Sequence, residues 1–355
     1  MGAAASEGDR SPRELNLLDN LERQAAVVDA LRARAAAGGG DVARCLAWLG
    51  VGRQAGRYLT EIGGWPGGRL AKLEPDVAAH REALENAVAE ATREVAVADE
   101  PTVQAARRRL GIRLAVVGKG GAGKTMISAT LARTMARQGR RIVAADLDTN
   151  PGLALSLGIG LGDDDAGVPM AVEEHPGAAY GWRLASGVSP EEVVERYAVT
   201  GPDGVRFLSI GKISEPDKQA AKQTVVATRQ VLLGFGEPDW DVLGDMEAGP
   251  TTPFERYQAF ADRAILVVGP AWRSALTARR LLPILDDMPV TIVANGFRDE
   301  PDHPGLTPAV RIPWDPEVNA AERLGVSPID YCPDAPAVKA VEQLASMFLP
   351  EEAKL

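Results

Sequence analysis

One stretch of eight residues decides the fold of this 355-residue chain: Gly118-Lys119-Gly120-Gly121-Ala122-Gly123-Lys124-Thr125. It follows the mostly apolar run from Ile112 to Val117 and precedes a helical pattern from Met126 to Gln138. Glycines let backbone N–H groups turn inward around phosphate oxygens, where larger side chains would collide with them. A following helix adds its unpaired N–H groups and the positive end of its dipole. The spacing predicts a phosphate-binding loop, in which Lys124 supplies a cation and Thr125 a hydroxyl for Mg²⁺.

Two further strands end in carboxylates that suit a site for Mg²⁺ and a triphosphate. Asp146-Leu147-Asp148 closes the strand that is predicted from Arg141, and Asp245 closes the apolar run from Trp240. An aspartate at the end of an apolar strand, as Asp245 is, holds a Mg²⁺-bound water in phosphoryl-transfer enzymes. Gly249 follows where a backbone N–H can meet a γ-phosphate, so residues 245–252 are predicted to form a switch ordered by ATP. The alternatives are a turn cap for the aspartate pair and a plain buried strand for Asp245.

From residue 112 onward, short apolar strands alternate with helical patterns. Strands are predicted at 112–117, 141–146, 205–210, 241–245, 264–268, 290–294 and 310–312. Helices are predicted at 218–233, 273–285, 317–324 and 337–348. Such alternation is typical of a parallel sheet with helices on both faces, so we expect an α/β fold with a doubly wound, mainly parallel sheet. Residues 158–189, rich in glycine, proline and acidic residues, fit a loop insertion or a mobile flap.

The first 110 residues have a helical pattern instead. Ser11-Pro12-Arg13-Glu14 is a capping box, and apolar residues recur at helical spacing until Gly38-Gly39-Gly40. Further helices are predicted at 41–50, 54–62, 75–97 and 102–110. A DNA-binding helix-turn-helix with its turn at Leu49-Gly50-Val51 is less favoured, because Gly56 stands where an apolar anchor is expected. The sequence therefore predicts an all-helical N-terminal module at 1–110 and a phosphate-binding-loop (P-loop) domain at 111–355.

Composition narrows the class of protein. Residues 1–113 carry 16 basic and 16 acidic side chains, so the formal charge of -10 belongs to the remainder. An acidic domain argues against a broad nucleic-acid-binding surface, because phosphate contacts need clustered cations. Cys45 and Cys332 lack a paired spacing, and we expect both to be small, buried, apolar side chains. The first ten residues lack a signal-peptide core and no long apolar run occurs, so we expect a cytoplasmic protein without membrane contact.

Lys119, directly after the first glycine, points away from the phosphates in an ordinary phosphate-binding loop. With this lysine the loop resembles that of the deviant Walker A ATPases, the family of MinD, ParA and the nitrogenase iron protein. The resemblance implies a homodimer that forms on ATP binding, in which Lys119 reaches the phosphates of the partner subunit. A solvent-exposed loop lysine is the alternative.

Later motifs resemble one branch of that family, the carbon monoxide dehydrogenase nickel-insertion ATPases. The stretch 245–249, Asp-Met-Glu-Ala-Gly, is similar to the second switch of that branch, and 267–270, 292–295 and 312–315 agree with it. By this resemblance Asn295 reads the adenine edge and the loop at Pro313 lines the base. An asparagine amide offers the donor and the acceptor that adenine requires. The alternative for Asn295 is a turn residue before Gly296.

Spacing and resemblance together assign roles to the site residues. The residues expected to act in catalysis are Lys119, Lys124 and Asp148, the last of which would orient the attacking water. Those expected to hold Mg²⁺ are Thr125, Asp146 and Asp245. Those expected to bind ATP are Gly118, Gly120, Gly121, Ala122, Gly123, Lys124, Thr125, Met126, Gly249, Asn295 and Pro313.

The resemblance, which covers about residues 112–348, implies an ATPase that uses ATP and Mg²⁺ to drive maturation or remodelling of a client protein. The client is unidentified and is expected to bind residues 1–110. The chain departs from the branch where metal is handled, since Thr251-Thr252-Pro253 and its surroundings have no paired cysteines. Two alternatives are a partition or positioning ATPase that binds a surface such as DNA, and a synthetase or kinase acting on a small molecule.

Overall fold

The computed structural model describes residues 11–63, 73–150, 152–160, 171–175, 178, 181–210, 218–250, 257–285, 288–299 and 303–349. The chain forms two compact units. One comprises residues 1–110, 170–191 and 233–239, and the other comprises 111–169, 192–232 and 240–355. Sequence patterns did not assign the segments 170–191 and 233–239 to the helical unit. The domain boundary between residues 110 and 111 stays a prediction.

The described residues contain the following elements. The helices are α1 Pro12–Ala37, α2 Asp41–Gly63, α3 Glu74–Ala96, α4 Glu100–Arg109, α5 Lys124–Arg137, α6 Leu153–Leu157, α7 Pro190–Tyr197, α8 Lys218–Gly234, α9 Trp272–Leu281, α10 Pro316–Leu324, α11 Pro328–Tyr331 and α12 Pro336–Ser346. The strands are β1 Arg113–Gly118, β2 Arg141–Leu147, β3 Val172–Glu174, β4 Trp182–Leu184, β5 Val199–Thr200, β6 Arg206–Ser209, β7 Trp240–Met246, β8 Arg263–Val268, β9 Val290–Phe297 and β10 Val310–Pro313.

A single eight-stranded sheet organises the second unit. Its strand order is β10-β9-β8-β1-β7-β2-β6-β5, and every pairing is parallel except that of β5 with β6. The seven predicted strands are all present, and the α/β class with a mainly parallel sheet is confirmed. β1 lies between β7 and β8, so the end of β1 is flanked by two other carboxyl ends. In open sheets of this kind, ligands bind in the crevice at that edge.

An apolar core packs between the sheet around β1 and helix α5. Burial is complete, with no exposed surface, at Val116 in β1, Ile127 in α5 and Ala144 in β2. The last helix docks on this core, because Val338, Val341 and Leu344 of α12 are fully buried in the same cluster. Among the described residues, no helix combines the length and the apolar character that a membrane crossing requires.

The N-terminal helices of the first unit pack through their apolar stripes. Val51, Ile62 and Val77 have no exposed surface. The predicted capping box at the start of α1 is confirmed: the Ser11 hydroxyl accepts the N–H of Glu14, and the Glu14 carboxylate accepts the N–H of Ser11 at 2.7 Å. Both cysteines of the chain, Cys45 in this unit and Cys332 in the other, are free and buried as expected.

The prediction of two helices at 41–50 and 54–62 is wrong, because α2 runs continuously from Asp41 to Gly63. Gly50 lies inside this helix, where an added Cβ would come within 2.9 Å of Pro238 in the same unit. The glycine therefore serves close packing rather than a turn. The less favoured alternative, a helix-turn-helix with its turn at Leu49-Gly50-Val51, is ruled out for the same reason.

The region 158–189, predicted to be a loop insertion or flap, contains a short hairpin. β3 and β4 pair antiparallel, with Glu173 opposite Arg183. Arg183 forms ion pairs with Glu173, at 2.6 Å, and with Asp19 of α1. Residues 161–170, 176–177 and 179–180 of this region lie outside the described residues.

An ionic network fastens the helix that follows the phosphate-binding loop. Arg133 of α5 is 3 % exposed, and its guanidinium donates to Asp203 at 2.7 Å and to Asp330 of α11 at 3.0 Å. Arg137, one turn later, donates to the same two carboxylates at 3.0 and 2.9 Å. Burial alone would raise the pKa of Asp330, but hydrogen bonds from the two arginines outweigh it and hold that pKa below its ordinary value.

This network predicts a loss of stability in acid. A carboxylate whose pKa is depressed by folding stabilises the native state above its unfolded pKa of about 4, and that contribution disappears as pH falls further. Asp330→Asn should therefore flatten the decrease in the free energy of unfolding between about pH 5 and pH 3. Because Asp330 is partly exposed, we expect an effect of about 0.5–1 kcal/mol. Denaturant unfolding at a series of pH values measures it.

Asp334→Asn is the matched control, because the Asp334 carboxylate is 95 % exposed and lies 3.6 Å from Lys339. It should leave the pH dependence unchanged. An identical profile for wild type and Asp330→Asn would contradict the assignment.

Candidate functional site

The loop between β1 and α5 has a backbone shape that requires glycine. Gly118, Gly121 and Gly123 have φ angles of 151°, 75° and 91°. Side chains rarely adopt such angles, and a Cβ at Gly123 would also collide with the side-chain amide of Asn295. Lys124 begins α5 and is 6 % exposed. The predicted loop therefore has a backbone that only glycine adopts readily, with a buried lysine at its end.

Behind the loop lies a buried carboxylate that two hydroxyl groups hold. Thr125 donates to one oxygen of Asp245 at 2.7 Å, and Ser128 donates to the other at 3.0 Å. Asp245 is 2 % exposed. Burial, together with the charge of Asp146, raises the pKa of Asp245 to about 7, although Thr125, Lys124 and Ser128 favour the charged form. At neutral pH a nearby cation would therefore stabilise the charged form of this carboxylate.

Asp146 lies directly beside Asp245 in the register of β2 and β7. It has no exposed surface, and one of its oxygens accepts the N–H groups of Gly152 and Leu153 at 2.9 and 2.8 Å. The other oxygen accepts the N–H of Asp148 at 3.1 Å. Burial raises the pKa of Asp146 although these bonds oppose the shift. Its observed contacts shape the loop before α6, and contact with a metal stays a prediction.

Residues 146–150, here called the first switch, and the predicted switch at residues 245–252, here called the second switch, are joined to each other and to the phosphate-binding loop. The Thr149 hydroxyl donates to Glu247 at 3.0 Å. The N–H of Gly249, whose φ is 94°, donates to the carbonyl of Gly118 at 3.1 Å. Asp148 accepts the N–H of Asn150 at 2.9 Å, which is a turn-capping contact. Residues 251–252, the end of the predicted second switch, lie outside the described residues, as does Pro253.

The remaining predicted contacts fall at the same edge of the sheet. Asn295 of β9 donates its amide to the carbonyl of Ala122 at 2.8 Å. Pro313 ends β10, in register with Phe297 of β9, and is exposed. Met126 packs its side chain in the apolar core, so its backbone N–H in the first turn of α5 is the group it can offer a phosphate.

Sequence patterns missed two features of this site. Ser128 was not predicted, although it follows Thr125 by three residues and therefore lies on the same face of α5. The hydrogen bond between Thr149 and Glu247 was also missed. It joins residues 98 positions apart in the chain, and no local pattern indicates such a pair.

The donor set fits Mg²⁺. Mg²⁺ prefers hard oxygen ligands and is usually bound by one or two carboxylates together with substrate phosphates. Thr125 and Asp245 supply a hydroxyl and a carboxylate next to the glycine loop, and their 2.7 Å hydrogen bond aligns them. The raised pKa of Asp245 also fits a Mg²⁺ site, since a divalent cation would stabilise the charged form of this carboxylate.

A strand, a positive-φ glycine loop, a helix that begins Lys-Thr and a neighbouring acidic strand end define a P-loop nucleotide-binding fold. The model of the CobQ/CobB/MinD/ParA nucleotide binding domain family matches residues 114–329. The chain belongs to this family of P-loop ATPases. The predicted family, fold class and class of enzyme are thereby confirmed.

Individual relatives agree with this assignment. The uncharacterized ATP-binding protein MJ0823 of Methanocaldococcus jannaschii is 27 % identical, with 67 % of this chain and 98 % of the relative covered. The carbon monoxide dehydrogenase accessory protein CooC of Rhodospirillum rubrum is 28 % identical, with coverages of 62 % and 91 %. The septum site-determining protein MinD of Pyrococcus horikoshii, complexed with Mg-ADP, superposes with a TM-score of 0.51 at 19 % identity, covering 69 % of this chain and 98 % of that chain. This last likeness concerns the fold alone.

Removing the Ser128 hydroxyl should destabilise the site. A buried carboxylate that loses one donor costs about 1–3 kcal/mol, so Ser128→Ala should lower the free energy of unfolding by about that amount. It should also raise the Mg²⁺ concentration needed for nucleotide binding, since Asp245 would be less well oriented. Chemical denaturation and titration with Mg²⁺ test the two effects.

Thr130→Val is the control for Ser128→Ala, because Thr130 is fully buried on the same helix and its hydroxyl contacts the sulfur of Met126 at 3.8 Å. It should leave the Mg²⁺ requirement unchanged. Equal Mg²⁺ requirements in Ser128→Ala and wild type would remove Ser128 from the site.

Proposed function

We propose that the protein is a Mg²⁺-dependent ATPase that alternates between an ATP-bound homodimer and a relaxed state, and that this cycle drives maturation or remodelling of a client protein. The observation that carries the proposal is the cluster of Thr125, Ser128 and Asp245 directly behind a glycine loop with a buried Lys124. That arrangement suits phosphoryl transfer, which depends on positioning and on charge stabilisation.

Lys119 supports the dimeric part of the proposal. Its ammonium group donates to the carbonyl of Gly120, the next residue, at 3.2 Å, and its side chain is partly exposed. A lysine that bonds to its own loop at the surface can be offered to a second copy of the chain at little cost. In the proposed dimer, Lys119 offsets the charge that develops on the partner's phosphates.

The hydrogen bonds of the two switches support a coupling between ATP hydrolysis and conformational change. Gly249 N–H donates to the Gly118 carbonyl, and a γ-phosphate oxygen at this loop would compete for the same donor. Movement of Gly249 would in turn pull on Glu247, which holds Thr149 of the first switch. We infer that binding and loss of the γ-phosphate rearrange both segments together.

In hydrolysis, Lys124 holds the phosphates and Asp148 orients the attacking water for in-line displacement. The loop N–H groups from Gly118 to Met126 bind phosphate oxygens, Asn295 recognises the adenine edge and Pro313 lines the base. Mg²⁺, held by Thr125 and Asp245, would supply positive charge for the phosphate oxygens as they become more negative. Burial of Lys124 and Asp245 strengthens these interactions because little water screens them.

The helical unit offers a route from the switches to a client. Residues 233–239 belong to this unit and lead directly into β7, which ends near Asp245. Within the unit, Arg34 of α1 holds Glu237 through two hydrogen bonds of 2.7 and 3.0 Å, and Gln54 of α2 donates to the carbonyl of Leu233 at 2.6 Å. We infer that a shift of β7 on nucleotide exchange reaches α1 and α2, and that the client binds there.

The relative CooC is named as an accessory protein of carbon monoxide dehydrogenase. That name supports a client-directed cycle rather than phosphoryl transfer to a small molecule. The excess of acidic residues after position 113 favours a protein client over a DNA surface.

Substitution of the two loop lysines separates binding from dimerisation. Lys124→Ala should abolish ATP binding, because the cation closest to the phosphates is lost. Lys119→Ala should keep ATP binding and lose both turnover and ATP-dependent dimers. Calorimetry, phosphate release and size-exclusion chromatography with light scattering measure the three properties.

Arg141→Ala is the control for a change of surface charge, since its guanidinium stacks on Trp240 at 4.3 Å at the start of β2, at the opposite end of that strand from the site. It should keep turnover. Normal turnover and dimers in Lys119→Ala would rule out the cross-subunit role, and ATP-dependent retention on DNA would favour a positioning ATPase instead.

The proposed route to the client predicts a change in hydrogen exchange. The N–H of Gly236 is held by the carboxylate of Glu191 at 2.6 Å in the helical unit. On ATP binding, peptides that span residues 233–239 should change their exchange rate, because β7 moves. Peptides from α12 serve as the internal control, and Lys124→Ala should show no change. An ATP effect confined to residues 118–126 and 245–250 would contradict the route.

A further inference from the structure

A cavity in the helical unit, here called the arginine cavity, is lined by arginines from three different helices. Its volume is about 170 Å³, and Arg34 of α1, Arg44 of α2 and Arg109 of α4 lie around it. Asp239 is the acidic residue among those described at the cavity, and every residue of this lining belongs to the helical unit. Three guanidinium groups and one carboxylate give the lining an excess of positive charge.

Two of these arginines use only part of their hydrogen-bonding capacity in described contacts. A guanidinium has five N–H donors in a planar fork. Arg34 donates to Glu237 from its two terminal nitrogens, at 2.7 and 3.0 Å, and Arg44 donates to Glu94 from one nitrogen at 2.8 Å. Both arginine side chains are 55 % exposed, so water screens these ion pairs and they contribute little. A further carboxylate can therefore bind beside the present partner or replace it.

The last turn of α4 adds positive charge beside the cavity. Arg109 is exposed there and forms no ion pair with a described residue. Arg107 of the same turn lies close enough to Cys45 of α2 that its charge opposes the burial that raises the pKa of the Cys45 thiol. Two cations of α4 therefore accompany the part of α2 that carries Arg44.

Part of the cavity wall is apolar and closely packed. Leu46 of α2 is 4 % exposed, and Ala47 and Pro238 also line the cavity. Pro238 lies so near α2 that a Cβ at Gly50 would come within 2.9 Å of it. A ligand that suits this lining therefore has an aliphatic part as well as a negatively charged group.

The size of the cavity limits what can enter it. Sites for small molecules and cofactors have volumes of about 300–1,000 Å³. A cavity of about 170 Å³ is therefore too small for a nucleotide and suits a single side chain. Glutamate and aspartate combine an aliphatic stem with a carboxylate, and the guanidinium fork matches the geometry of a carboxylate.

We propose that the arginine cavity binds an acidic side chain of the client protein, in exchange with Glu237. This inference rests on the proposed function, since it takes the client to bind the helical unit. The incoming carboxylate competes with Glu237 for Arg34. Release of Glu237 frees residues 233–239, which lead into β7, so the client and the nucleotide influence each other's binding.

The experiment uses two fluorescein-labelled peptides with blocked ends, tetraglutamate and tetraglutamine, and the full chain at low salt. Tetraglutamate should bind and tetraglutamine should not, because the two differ mainly in charge. Arg109→Gln should weaken tetraglutamate binding about 2- to 5-fold, and the double variant Arg44→Gln/Arg109→Gln about 5- to 25-fold. Glu237→Gln should strengthen it, because a carboxylate that competes for Arg34 is removed. Fluorescence anisotropy measures the affinities.

Arg81→Gln and Glu82→Gln are the matched controls for charge. Both residues lie on α3 of the same unit, roughly 20 Å along the helix from Glu94, the partner of Arg44. Each variant changes the net charge by the same amount as Arg109→Gln or Glu237→Gln does. Both should bind tetraglutamate as wild type does.

Hydrogen exchange tests the exchange with Glu237 directly. Tetraglutamate should increase the exchange rate of peptides that span residues 233–239 in wild type, because Glu237 is released from Arg34. The double variant Arg44→Gln/Arg109→Gln should show no such increase at the same peptide concentration.

The outcomes separate the two proposals. Equal tetraglutamate affinity in wild type and the double variant would overturn the cavity as a binding site, and unchanged affinity in Glu237→Gln would overturn the exchange. Stronger competition by inorganic phosphate than by acetate would identify a phosphate site and overturn the assignment to a carboxylate. Each of these results, with normal Mg-ATP turnover, leaves the ATPase intact. A wild-type protein without Mg-ATP turnover would refute the proposed function itself.

Discussion

The site is organised around a carboxylate that is buried at the centre of a parallel sheet. Asp245 lies in register with Val116 of β1 on one side and with Asp146 of β2 on the other, and two hydroxyl groups of α5 hold its oxygens. Burial and the neighbouring acid raise its pKa to about 7. A carboxylate in this position is costly unless a cation or a proton accompanies it. We infer that the same environment, which destabilises the charge, favours binding of Mg²⁺ by this carboxylate.

Nucleotide binding is connected to conformation by backbone N–H groups for which a bound phosphate and a backbone carbonyl would compete. Glycines at positive φ aim N–H groups into the loop, and Gly249 has its N–H on the Gly118 carbonyl. A hydrogen bond between neutral groups is weaker than one to a charged phosphate oxygen, so a bound γ-phosphate can displace it. Because Glu247 and Thr149 are joined nearby, we infer that this exchange of one acceptor moves both switches.

The segments that make up the helical unit connect it to the switches, so a movement of the switches can be transmitted to it. Helices α1 and α2 hold residues 233–239 through Arg34 and Gln54, and Arg183 of β4 pairs with Asp19 of α1. Both later segments of the unit belong, in sequence, to the region after the phosphate-binding loop. The unit is built from the N-terminal helices together with two later segments, so the chain itself connects it to the nucleotide-binding unit, and we infer that it responds to nucleotide through this connection. This feature distinguishes a client-directed proposal from one in which residues 1–110 are a passive extension.

The sequence alone determined the α/β class, the seven strands that were predicted, the phosphate-binding loop and the acidic strand ends, because each depends on local spacing and on residue type. It also gave the capping box at Ser11 and the burial of both cysteines. The prediction of a helix end at Gly50 was wrong, because the sequence alone does not distinguish a glycine in a turn from a glycine that packs closely inside a helix. Here the close packing is against Pro238. The donor Ser128 and the bond between Thr149 and Glu247 were decided by tertiary structure. Sheet order brings these distant residues together, and one-dimensional patterns carry no information on which strands become neighbours.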